Sequence, residues 1–170
     1  MPEPDRQELL TALTTEHFGL AGARAQTTGE SSARAALYIS AVSSTLVALG
    51  FIGQITEVGD AFDVFALTAL PTLYVLGLFT FIRVVENGVE DLMLGRAINR
   101  IRNYYLDVAG ERRRYFMLSG HDDALGVMRN MGVALARRQQ YFTTGSMIAV
   151  INSVVGGAAI ALGIGAFTDA

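Results

Sequence analysis

Cysteine is absent from this chain of 170 residues. That excludes disulfides, thiol nucleophiles and cysteine-based metal centres. Lysine is absent as well, so all 13 basic residues are arginine. Charge of either sign is scarce, at 17% of residues, where an ordinary globular chain carries about 25%. Histidine occurs only at His17 and His121, with no metal-ligand spacing between the two. His121-Asp122-Asp123 reads as a helix cap before it reads as a metal site. No GxSxG, HExxH, P-loop or dinucleotide-binding fingerprint occurs. The sequence therefore offers no catalytic residue, no metal site and no cofactor site, and the chain is not read as an enzyme.

What is present is apolar. Hydrophobic residues make up 51% of the chain, and the mean hydropathy is +0.37. Three long stretches carry no charge. The first lies between Arg34 and Glu57, with its core AALYISAVSSTLVALGFIG over 35–53. The second, VFALTALPTLYVLGLFTFI, lies between Asp63 and Arg83, and the third between Arg138 and Asp169, with an apolar core over about 147–167. Each has the roughly 20 residues that cross a hydrocarbon layer about 30 Å thick. A soluble bundle is the competing reading, but it needs polar outer faces that these stretches lack. The expected fold is all-α: an integral membrane protein with three transmembrane helices, an N-terminal amphipathic helix and a cytoplasmic helical hairpin. The opening 34 residues, with Glu3, Asp5 and Glu8, lack the pattern of a cleaved signal, so span one is expected to stay as an anchor.

Arginine sets the expected orientation. Arg6, Arg24 and Arg34 precede span one, and ten more, from Arg83 to Arg138, lie between spans two and three. The loop between spans one and two and the tail after span three hold none. Cytoplasmic segments carry the excess of basic residues. This places the N-terminus in the cytoplasm of a cell with an inner (plasma) membrane and the C-terminus outside.

The sequence divides into a cytoplasmic N-terminal helix over 1–34, spans one and two over 35–83, a cytoplasmic helical hairpin over 84–141, and span three with an external tail over 142–170. Residues 6–28 carry Leu10, Leu13, His17 and Leu20 at helical spacing. Thr27, Thr28 and Gly29 are expected to break that helix. Residues 83–109 are expected to continue as helix out of span two, with Leu94, Ile98, Ile101, Tyr105 and Val108 as a heptad-like stripe and Gly110 as the stop. A second cytoplasmic helix is expected over 122–141, capped by Ser119 or Asp122, with a bend at Thr143, Thr144 and Gly145.

Within a bilayer, helices associate through small residues rather than by excluding water. Span three carries one at every fourth position: Gly145, Ala149, Ser153, Gly157, Ala161 and Gly165. Such a row is expected to give one flat face along the helix, for packing within the chain or for self-association. Span one has Ala36, Ser40, Ser44 and Ala48. Span two has Thr68, Thr72 and Thr80 on one face, and Pro71 is expected to kink it. No span core holds an ionisable side chain, which argues against a proton-coupled carrier. Asn152 and the threonine row are candidates either to line a pore or to hydrogen-bond between helices.

The segment RAINRIRNYYLDVAGERRRYF, over 96–116, concentrates arginine and tyrosine. Arg100, Arg102, Tyr104, Tyr105, Arg112, Arg113 and Arg114 are the candidate ligand-binding residues, because guanidinium groups suit phosphate and aromatic rings stack bases. The ligand they fit is a nucleotide or a single-stranded oligonucleotide. The plainer reading is that these arginines set topology or touch anionic lipid. A straight helix would put Arg112–Arg114 about 40 Å from the end of span two, which favours a soluble anion or a protein partner.

This layout resembles the SLATT group of small bacterial membrane effectors: a polar N-terminal helix up to Arg34, two spans joined by the short loop from Ile55 to Asp63, and a long charged helix from Arg83 onward. The resemblance covers roughly residues 6–118 and is one of architecture. The third span departs from that group's two-span pattern. Membership would imply an anti-phage effector, an oligomeric pore held shut until a nucleotide or oligonucleotide opens it. The function expected is a homo-oligomeric pore or membrane-disrupting effector gated by an anionic cytoplasmic ligand. The alternative is a non-conducting membrane adaptor that docks a cytoplasmic partner protein through the Leu94–Val108 stripe.

Overall fold

The computed structural model describes residues 5–55, 59–132 and 143–168, and among these every regular element is helical. Helix α1 runs from Arg6 to Ile55 and α2 from Asp60 to Ala109. A 3-10 turn over Gly110–Tyr115 follows, then α3, Ala124–Asn130, and α4, Thr144–Thr168. Three helices, α1, α2 and α4, are long and apolar enough to cross a membrane. They contain the three charge-free stretches. Their apolar windows are only 11%, 28% and 17% buried within the chain, so the outer faces stay apolar.

Several boundaries differ from the sequence reading. Helix α1 does not break at Thr27–Gly29. The Thr27 hydroxyl donates to the Ala23 carbonyl and the Thr28 hydroxyl to that of Arg24, both at 3.1 Å. Both polar side chains are satisfied inside the helix, and one glycine costs only about 1 kcal/mol against alanine. Helix α2 starts at Asp60, inside the segment expected as a loop, with Asp60 and Asp63 in its first turn. Carboxylates there suit the positive end of the helix. The helix continues through Pro71. It stops at Gly110, as expected, where φ is +52°, a conformation that favours glycine.

The long helix expected over 122–141 is a seven-residue helix in the described residues. Asp123 caps it by accepting from the Gly126 amide, the role expected of Ser119 or Asp122. Its end is marked by Gly132 at φ +70°, and residues 133–141 lie outside the described residues. The expected bend falls at Thr143, with Thr144 and Gly145 already helical, and Thr143 also caps α4. Its hydroxyl accepts from the Ser146 amide at 3.1 Å, while Ser146 Oγ accepts from the Thr143 amide at 2.9 Å. That is a reciprocal box at the start of α4.

The chain divides into two compact units: Met1–Glu30 with Glu86–Tyr141, and Ser31–Val85 with Phe142–Ala170. In the second unit the core is Ala35, Tyr38 and Val42 of α1, Ala66, Leu70, Leu73 and Val84 of α2, and Ile148 and Val155 of α4. In the first unit, Ile98, Ile101 and Val127 are buried. One row of buried and half-buried positions spaced by four and three runs along α2, from Ala66 through Leu70, Leu73, Gly77, Thr80, Val84, Asn87, Asp91 and Leu94 to Val108, with Gly95 and Asn99 buried beside it. Such a 3.5-residue period is a coiled-coil seam.

Candidate functional site

In the second unit three helices meet at one polar point. Tyr38 of α1, 1% exposed, donates its hydroxyl to Asn152 Oδ1 of α4 at 3.0 Å. Gly77 of α2 lies against both. A Cβ at Gly77 would run into the Asn152 amide and come within 2.7 Å of the Tyr38 hydroxyl. Glycine is therefore required for α2 to approach this closely. Of the two roles expected for Asn152, the structure shows the interhelical hydrogen bond.

The threonine row behaves differently. Thr68, Thr72 and Thr80 return their hydroxyls to the carbonyls of Val64, Thr68 and Leu76 of their own helix, at 2.7, 2.8 and 2.8 Å. Thr80 is buried, while Thr68 and Thr72 are exposed. The small-residue row of α4 is not one flat face. Every fourth residue advances about 40° around a helix of 3.6 residues per turn, so the row winds about 200° from end to end. Gly145 faces Phe81 and Val84. Gly157 and Gly165 have nothing within 4 Å of an added Cβ, and Ala161 between them is exposed. Between α2 and α4 runs a groove of about 790 Å³, lined by Pro71, Tyr74, Leu78, Phe81, Asn152, Ser153 and Gly157 among others.

In the first unit the arginine and tyrosine residues divide into two sets. Arg100 Nε pairs with Asp122 Oδ2 at 2.9 Å. Arg102 Nη1 donates to Asn99 Oδ1 at 2.6 Å and to the Ser119 carbonyl at 3.3 Å. Tyr105 shares a 3.2 Å hydrogen bond with Thr14, and its ring lies 6.2 Å from that of His17 and 6.5 Å from that of Tyr104. These four residues are tied into the unit. Arg112, Arg113 and Arg114 sit on the exposed 3-10 turn. There the Arg114 guanidinium lies 5.2 Å from the Tyr115 ring centroid and its Nη2 donates to the Tyr115 hydroxyl at 3.3 Å, while the side chains of Arg112 and Arg113 make no hydrogen bond or ion pair among the described residues.

Charge follows this geometry. The hydrogen bond from Arg100 holds the Asp122 carboxyl below the usual aspartate range. The hydrogen bond to Asp91 raises the Arg24 guanidinium, against the opposing effect of burial. Burial, and then the charge of Arg24, lower that of Arg102.

Several residues in these arrangements did not stand out in the sequence. Arg24 grips both Asp91 oxygens, at 2.7 and 3.0 Å. Asn99, 2% exposed, donates to the His121 carbonyl at 2.8 Å and accepts from Asn130 at 2.9 Å. It thereby pins the segment after the 3-10 turn back onto α2. Asn87 is buried, with Nδ2 unpaired among the described residues. The four-and-three spacing of α2 could have flagged Asn87 and Asp91 as seam positions; nothing in the pattern marks Asn99 or Asn130. The Leu94–Val108 stripe is turned inward, with Ile98 and Ile101 only 6% and 8% exposed. The chain matches no protein-family model, no curated protein and no solved structure.

Proposed function

We propose that this chain is a three-span protein of the bacterial inner membrane that works as a homo-oligomeric pore or membrane-disrupting effector. Its N-terminus and arginine-rich unit face the cytoplasm, where an anionic ligand of nucleotide or oligonucleotide type gates it. Its architectural resemblance to the SLATT effectors points to the same anti-phage role. The observation that carries the reading is the Tyr38–Gly77–Asn152 contact. It draws the charge-free stretches of three helices together within one chain, which favours a conducting path between copies. The exposed Thr68 and Thr72 hydroxyls suit a wet lining. The exposed guanidinium groups of Arg112–Arg114 beside Tyr115 suit an anion with a flat ring. The test is ion flux through liposomes that contain the purified protein, with and without nucleotides and short oligonucleotides. Flux that rises with ligand is expected; a membrane that stays sealed under all conditions overturns the pore.

The second reading, a non-conducting adaptor, is favoured by a different surface from the one the sequence suggested. Val89 and Met93, one turn apart on α2, are 51% and 65% exposed. A stable stoichiometric protein partner that is lost in Met93→Glu, with no flux in liposomes, would select the adaptor.

A further inference from the structure

We infer that the groove between α2 and α4 seats a second copy of this chain, held by the amide of Asn152. The inference rests on the homo-oligomeric reading and adds which face is used. The groove has Tyr74 and Phe81 on its α2 side and Ser153 and Gly157 on its α4 side. Asn152 lines it too and is 7% exposed. The Asn152 Oδ1 is taken by the Tyr38 hydroxyl. Its Nδ2 has no partner among the described residues.

An amide donor without an acceptor in hydrocarbon costs on the order of several kcal/mol, and acyl chains carry no acceptor. Asn152 lies eight residues into α4, about 12 Å along the axis, which is out of reach of headgroup oxygens. The occupant must therefore be apolar and must offer a carbonyl at that depth. A helix offers one where small residues leave its backbone open. Copies related by an axis along the membrane normal hold like residues at like depth. The matching acceptor is then a backbone carbonyl in the small-residue stretch of the neighbour's α4, near its own Ser153 and Gly157. The free space above Gly157 is where that helix makes its close approach.

The test is subunit counting by single-molecule photobleaching of full-length protein in lipid vesicles, over a range of protein densities. The chain lacks cysteine, so Ala61→Cys gives one labelling site. Gly157→Leu enters open space in the monomer but blocks close approach, and it should weaken association at least about tenfold. Ala158→Leu, on the opposite side of α4 from the groove, should leave association unchanged. Tyr38→Phe and Asn152→Leu both remove the bond inside the chain, and only Asn152→Leu also removes the amide donor. Asn152→Leu should therefore associate about threefold more weakly than Tyr38→Phe. A wild-type protein that is monomeric at every density overturns this inference together with the oligomeric reading. An oligomer indifferent to Gly157→Leu overturns the face and leaves the oligomer standing. Equal association of Asn152→Leu and Tyr38→Phe overturns the role of the amide.

Discussion

Gly77 sets how closely α2 approaches the other two helices of its unit, because a single added carbon would meet Asn152 and Tyr38. Gly77→Ala should lower stability by about 1–3 kcal/mol through overpacking. Gly157→Ala, with open space at the same distance, should not lower it and should raise it by up to about 1 kcal/mol. Thermal unfolding in detergent compares the two. Asp91 does for the first unit what Asn152 does for the second. Asp91→Ala leaves the Arg24 side chain, 25% exposed, without its counter-charge. A loss of about 1–3 kcal/mol is expected, less than for a fully buried pair because water reaches the site. Faster hydrogen exchange in α1 around Arg24 would register it. Asp122 gives a pH signature. Its carboxyl is held below its ordinary range, so the Arg100 pairing contributes fully above the unfolded aspartate value. That contribution is lost as pH falls through the lower, folded value. Titration followed by NMR should show the Asp122 carboxyl protonating later than a free aspartate as acid is added, and Arg100→Gln should bring it back up.

At the scale of elements, continuity decides most of the structure. The sequence reading stops the first helix at Thr27–Gly29 because threonine and glycine are poor helix formers. The hydroxyls instead return to carbonyls four residues back, and flanking turns carry the helix through. Gly29 has open space around a Cβ, so Gly29→Ala should stabilise by about 0.5–1 kcal/mol. An unchanged or lowered melting temperature would contradict a continuous α1. The buried spacing of α2 was legible only beyond Arg83, where polar residues contrast with Leu94, Ile98 and Ile101. Over 64–82 almost every residue is apolar, so a buried face cannot be told from an outer one by composition. The row of small residues on α4 was visible as a spacing, but its winding around the helix is a matter of geometry.

For the molecule as a whole, labelling from the two faces of a membrane tells its segments apart. In intact cells, a cysteine placed at Ala61 should react with an impermeant thiol reagent from outside. One placed at Arg113 should react only after the membrane is opened. Labelling of both from one side would refute the topology. The amino-acid pattern alone settled that the chain is helical, where its three long apolar helices fall, and that no arginine lies between the first two uncharged stretches or after the third. These follow from the length of uncharged runs and the sign of charge, which need no partner to be read. Only the tertiary structure decided that Tyr38, Gly77 and Asn152 meet, that Arg100 and Arg102 are held while Arg112–Arg114 stay exposed, and that Asn99 fixes the returning segment. Each of these contacts joins residues from different helices or from the segment that folds back onto α2. Which faces turn toward one another is fixed by packing and by satisfying buried polar groups, and no local spacing records it.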